Sequence, residues 1–168
     1  MTIERQLVEL LTQKNMKIAT AESCTGGMIS ELITNIAGAS AVLELGVCSY
    51  SNRIKNQVLG VPQEILDEYT ELSTQTAEEM AKGVMRLSGA DIAVSTTGLA
   101  GPGGGTEEDP VGTVYVALAS ASGVVSEKKN FNEDGVNDRN VIRRRCADYV
   151  MQMAIYYLNS GNSGEGCS

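Results

Sequence analysis

Histidine is absent from this 168-residue chain. That one absence removes Ser-His-Asp and Cys-His catalysis, His-ligated zinc and an imidazole general base. Basic residues are also scarce: thirteen Lys and Arg against twenty-one Asp and Glu leave a net charge of −8. A grip on the phosphate backbone of nucleic acid needs clustered Lys and Arg, so none is expected. No apolar run approaches the roughly 18 residues of a membrane span. Tryptophan is missing and Phe131 is the one Phe, so the core must pack from Ile, Leu, Val, Met and Ala. Chemistry here must draw on Lys, Tyr, carboxylates, Ser, Thr, Cys or the backbone.

The cysteines Cys24, Cys48, Cys146 and Cys167 show no C-x-x-C pair and no metal-ligand spacing. With no signal peptide evident, they read as reduced thiols of a cytoplasmic protein. Cys48 and Cys146 lie inside apolar patterns and are expected as small core residues. Neither a metal nor a cofactor is expected.

Hydrophobic periodicity predicts helices over residues 2–15, 28–36, 52–60, 62–68, 74–88 and 137–159. Strands are expected over 17–22, 45–50 and 91–97, and a hairpin over 112–119 and 124–131. Nothing repeats and no linker divides the chain. The expected fold is a single three-layer α/β/α domain over residues 1–159, with a mixed, mostly parallel sheet carrying an antiparallel hairpin. The Gly/Ser-rich end, 160–168, is expected to be a disordered tail.

Three stretches carry residues suited to chemistry. The first, Ala21-Glu-Ser-Cys-Thr-Gly-Gly27, falls at a strand-to-helix junction, where unpaired N–H groups favour an anion or oxyanion. Gly26 and Gly27 admit close approach to the backbone, and Ser23 offers an exposed hydroxyl. The plainer reading is that Ser23 or Thr25 only caps the helix, worth about 1 kcal/mol. The second, Tyr50-Ser-Asn-Arg-Ile-Lys55, ends a strand and puts Lys55 about one turn into a helix. Strand ends of a parallel sheet meet at one rim, which can bring Tyr50 and Lys55 to Ser23. Lys55 serves as a base near pH 7 only if its pKa falls about 3 units, roughly 4 kcal/mol of desolvation or neighbouring charge. An exposed Lys at a helix start is ordinarily just solvated. The third stretch holds six glycines from Gly98 to Gly112 directly after a buried strand. It suits backbone contacts to phosphate or a cover over a nucleotide, against the reading of a flexible excursion. The acidic Glu107-Glu108-Asp109 run argues against phosphate at its far end, and Thr96 and Thr97 are the better ligand candidates.

Taken together, Ala21-Glu-Ser-Cys-Thr-Gly-Gly27, Tyr50-Ser-Asn52 with Lys55, Gly60-Val61, Thr97-Gly-Leu-Ala-Gly-Pro-Gly-Gly104 and Pro110-Val-Gly-Thr-Val114 resemble the CinA C-terminal domain family, the nicotinamide-nucleotide amidohydrolases. The resemblance runs from about Leu7 to Leu158. It implies hydrolysis of the carboxamide of nicotinamide mononucleotide to nicotinate mononucleotide and ammonia, in pyridine-nucleotide recycling. Longer family proteins add an N-terminal domain resembling molybdopterin-binding folds, for which 168 residues leave no room. By this resemblance Ser23 is the nucleophile, Lys55 its base and Tyr50 a relay or orienting group. Helix-start N–H groups around Thr25, Gly26 and Gly27 would hold the oxyanion. Thr97 with Gly98, Gly101, Gly103 and Gly104 would hold the nucleotide, with Arg139 or Arg143 lending charge. Cys24 is a rival nucleophile; Ser23 is preferred because a Ser-Lys pair fits the family motif. Asp134-Gly-Val-Asn-Asp-Arg139 replaces a tighter turn, which bears on the position of Arg139. A small-molecule nucleotide substrate, no nucleic acid, no membrane and a homo-oligomer are the expected associations. The competing class is a non-catalytic binding module, a regulatory partner in competence or DNA damage.

Overall fold

The computed structural model describes residues 1–160, so the expected tail lies, from residue 161 on, outside the described residues. The elements are α1 (Ile3–Lys14), β1 (Ile18–Glu22), α2 (Met28–Thr34), a short 3₁₀ turn (Ala39–Ala41), β2 (Leu43–Cys48), α3 (Asn52–Leu59), α4 (Gln63–Tyr69), α5 (Thr74–Ser88), β3 (Ile92–Gly98), β4 (Thr113–Ser120), β5 (Gly123–Asn130) and α6 (Arg139–Asn159). The sheet order is β2-β1-β3-β4-β5. β1, β2 and β3 run parallel, and β4 and β5 add antiparallel at one side through a two-residue turn.

Alternation along the central strands separates the layers. Ile18, Ile92, Val94, Val116 and Leu118 face α1, α2 and α6 and form the larger core. The opposite face presents Ala19, Ala21 and Ala93 to residues of α3, α4 and α5, and Ala117 and Ala119 to Ala77 and Ala81. These short side chains let α5 sit close, and the Ser95 hydroxyl donates to the Ala77 carbonyl at 2.5 Å. Dense aliphatic packing of this kind replaces the missing aromatics.

Several element ends differ from the pattern in the sequence. Cys146 is buried, but Cys48 is exposed, because β2 is an edge strand whose alternate residues face solvent. β2 also stops at Cys48, leaving Tyr50 in the connection to α3 rather than on the strand. Pro62 precedes α4 instead of opening it. α6 begins at Arg139, since Asn137 takes a left-handed φ of 48° and the Asp138 carboxylate accepts from the Asn140 and Val141 N–H groups. Its buried stripe runs through Ala147, Met151, Ala154 and Ile155, leaving Tyr149, Met153 and Tyr157 at the margin. Among the described residues no helix is long and apolar enough to cross a membrane.

Candidate active site

The parallel strands β1, β2 and β3 end at one rim, where the residue 23–27 turn, α3 and the glycine loop meet. Glu22, fully buried at the end of β1, organises the first of these. Its Oε2 accepts from the N–H groups of Gly27 at 3.0 Å and Ile29 at 3.1 Å. Its Oε1 accepts from the Ser30 N–H at 3.0 Å and the Ser30 hydroxyl at 2.9 Å. The carboxylate thus occupies the free N–H groups at the positive end of α2. Gly27, at φ 94°, turns the chain into the helix in a conformation other residues rarely adopt. The turn is tied to β3 by the Ser23 N–H on the Thr96 carbonyl at 2.9 Å and by paired Thr25 and Thr96 hydroxyls at 2.8 Å. Arg143 braces it from α6, donating to the Cys24 carbonyl at 3.1 Å and the Thr25 carbonyl at 2.6 Å.

The Ser51 hydroxyl caps α3 by accepting from the Ile54 N–H. One turn in, Lys55 is only 1% exposed. Its Nζ donates to Ser23 Oγ at 3.1 Å and to the Ser49 carbonyl at 2.9 Å. Burial pushes the Lys55 pKa below the ordinary lysine value; Glu71 and a Cys24 thiolate pull it back up. No guanidinium is needed for that shift, and Arg53 is exposed and bonded to Gln57.

Above this pair opens a cleft of about 440 Å³. Ser23, Lys55, Tyr50, Thr97, Gly98, Gly101, Gly103 and Arg139 all line it, while Thr25, Gly26, Gly27 and Gly104 do not. Ser23 and Lys55 meet as the strand topology implies. Tyr50 does not join them: it is 65% exposed, and its hydroxyl accepts from Arg139 at 2.8 Å. Arg139, despite the altered turn before it, reaches the cleft and also donates to the Gly101 carbonyl at 2.5 Å. Arg143 is bonded to the turn and does not line the cleft.

Two expectations need correction. The Gly26 N–H donates to the Ser23 carbonyl and the Gly27 N–H to Glu22, so neither is free for an oxyanion. The glycines of the loop also answer to packing: a Cβ on Gly98 would stand 2.5 Å from the Thr113 carbonyl oxygen, and one on Gly101 2.5 Å from Val111. The acidic end of the loop folds away, with Asp109 accepting from the Tyr115 hydroxyl at 2.7 Å and pairing with Lys128 at 3.1 Å.

Cys24 also borders the cleft, yet its sulfur belongs to a buried group with Cys146 and Thr96. The Cys146 thiol and Thr96 hydroxyl draw the Cys24 pKa down against the cost of burial, and burial holds Cys146 protonated. Glu71 was not singled out in the sequence. It lies between α4 and α5, accepts from the Asn52 side chain at 2.9 Å and lines the cleft. Its carbonyl accepts from the Thr97 hydroxyl at 2.8 Å, which leaves Thr97 without a free proton to donate. An acid in a connecting turn gives no periodic signal, so only the folded chain reveals it.

The CinA C-terminal domain profile matches residues 1–158. A CinA-like protein of Syntrophus aciditrophicus is 41% identical over 162 residues, 96% of this chain and 38% of the relative. A CinA-like protein of Geotalea uraniireducens is 46% identical over 149 residues, 89% of this chain and 36% of the relative. The chain therefore spans less than two fifths of the curated relatives it matches. The crystal structure of the competence/damage inducible protein CihA from Agrobacterium tumefaciens superposes with a TM-score of 0.87 at 38% identity, covering 94% of this chain and 93% of that one. A CinA superfamily protein from Klebsiella pneumoniae gives 0.88 at 28% identity, covering 95% and 97%. By sequence and fold alike, this chain belongs to the CinA C-terminal domain family.

Proposed function

We propose that this chain hydrolyses the carboxamide of nicotinamide mononucleotide to nicotinate mononucleotide and ammonia. The observation that carries the reading is the buried Lys55 Nζ within 3.1 Å of the Ser23 hydroxyl at the floor of the cleft. Neutral Lys55 takes the Ser23 proton as Oγ attacks the carboxamide carbon. The resulting ammonium returns that proton to the departing nitrogen, ammonia leaves, and an acyl ester remains on Ser23. Water, deprotonated by Lys55, then attacks the ester, and the proton passes back to Ser23 as the acid departs. Arg139 and the backbone around Gly101 and Gly103 receive the phosphate end, and Tyr50 orients Arg139 rather than relaying a proton. A homo-oligomer in the cytoplasm, active without a metal or cofactor, belongs to the same proposal.

The test is ammonia release from nicotinamide mononucleotide by the purified chain after exhaustive chelation. Turnover that dies with Ser23→Ala supports the reading. Absence of turnover, with the nucleotide still bound, favours a non-catalytic binding module.

A further inference from the structure

Among the described residues, Glu71 is the one acidic side chain lining the cleft. Its position is fixed from two directions: the Asn52 amide donates to Oε2 at 2.9 Å, and the Thr97 hydroxyl donates to its carbonyl at 2.8 Å. The residue before it, Thr70, holds φ 62° and ψ −176°, a combination that side-chain-bearing residues rarely take. Hydroxyls of Thr76, at 2.6 Å, and Ser73, at 3.2 Å, pin the Thr70 carbonyl in that conformation. A strained, doubly braced turn thus delivers one carboxylate to the cleft. Among the described residues Glu71 forms no ion pair. The bond from Asn52 holds its carboxyl below the ordinary glutamate value, so it is ionised at neutral pH. Arg139 brings the opposite charge to the same cleft.

A cleft with a carboxylate beside the Lys55 amine and a guanidinium from Arg139 suits a ligand that carries both charges. We infer that Glu71 selects for positive charge on the ligand's ring, so that the cleft prefers a pyridinium nucleotide to the same nucleotide with an uncharged ring. This rests on the substrate reading above. The pyridinium nitrogen is part of the ring that bears the carboxamide, so attack by Ser23 brings the charge within a few ångströms of the Lys55 end of the cleft. Glu71 interacts electrostatically with Lys55, so a charge held at that end of the cleft lies within its reach. Attraction of this kind through partly solvated protein corresponds to about a tenfold effect on binding.

The experiment compares dissociation constants by calorimetry for nicotinamide mononucleotide and its reduced 1,4-dihydro form, which lacks the ring charge. Both are measured in a Ser23→Ala background, so turnover does not intervene. Glu71→Gln, which preserves the bond from Asn52, should weaken the oxidised nucleotide about tenfold and leave the reduced one within about twofold. Glu71→Asp should keep the preference. Equal loss for both ligands, or loss for neither, overturns the inference, while ammonia release by the unsubstituted chain still upholds the substrate reading. Failure of the unsubstituted chain to bind the oxidised nucleotide at all, and with it to hydrolyse it, removes both.

Discussion

Lys55→Arg tests the base directly, because it keeps a cation at the site and removes the ability to lose a proton. The unsubstituted lysine is 1% exposed and 3.1 Å from Ser23 Oγ, so no bulk solvent stands between them. A well-placed general base contributes about 10²–10⁴ in rate, equivalent to roughly 3–5 kcal/mol of barrier. Turnover of nicotinamide mononucleotide, followed by coupled ammonia release, should fall by that factor in Lys55→Arg and as far in Lys55→Met. In the unsubstituted chain the rate should climb tenfold per pH unit below the lowered Lys55 pKa and level off above it. Stability follows the same titration. Because the folded-state pKa lies below the unfolded one, the cost of burying the ammonium is fully present below the folded value. It is relieved as pH rises toward the unfolded value near 10.4. Melting curves of Lys55→Met should lack that gain. Retention of more than about a tenth of the activity by Lys55→Arg would refute the reasoning. No neighbour would then inherit the task easily: Tyr50 points to Arg139, and Glu22 is bound up with the start of α2.

Ser23→Ala should abolish acyl transfer while Cys24→Ala keeps much of it, since Lys55 contacts the hydroxyl and not the thiol; steady-state rates that reverse this order would move the nucleophile to Cys24. Glu22→Ala leaves the buried N–H of Ile29 and the part-buried N–H groups of Gly27 and Ser30 without an acceptor and should cost about 3 kcal/mol in urea unfolding. A loss under about 1 kcal/mol would show that water replaces the carboxylate. Arg139→Ala should raise KM for the nucleotide and shrink its advantage over nicotinamide riboside, which lacks the phosphate; an unchanged ratio would take the phosphate away from Arg139.

Most of the architecture was legible because it depends on local periodicity. The short β-rich run of β3 and the apolar run of β4, turning back through Ala121-Ser122 into β5, marked the sheet, and the order of strands and helices implied the common rim. Ser23 and Lys55 were legible for the same reason: each lies at a fixed offset from a strand end. What escaped depends on contacts between distant segments. The reach of Glu22 across the turn to α2 decides which amides are free, and nothing in the spacing of Ala21-Glu-Ser-Cys-Thr-Gly-Gly27 records it. The different burial of Cys48 and Cys146 depends on which strand is an edge. Arg139 and Arg143 are one turn apart on α6, yet one faces the cleft and the other holds the turn.

A lysine base and a neighbouring carboxylate make opposite demands. Glu71 raises the Lys55 pKa and so reduces the neutral amine at pH 7, whereas burial lowers it. The carboxylate would be a pure handicap in an empty cleft. A bound pyridinium offsets its field, so the opposition weakens only when substrate is present. The pH profile of kcat/KM reports the free chain and that of kcat the substrate complex. The acid limb of the kcat profile should therefore lie at lower pH than that of kcat/KM. Glu71→Gln should move both limbs down by a similar amount, because the fields of the carboxylate and of the ring charge add at Lys55. If both limbs coincide in the unsubstituted chain, the ring charge does not reach Lys55 in the complex; if Glu71→Gln moves neither limb, the carboxylate does not act on the base.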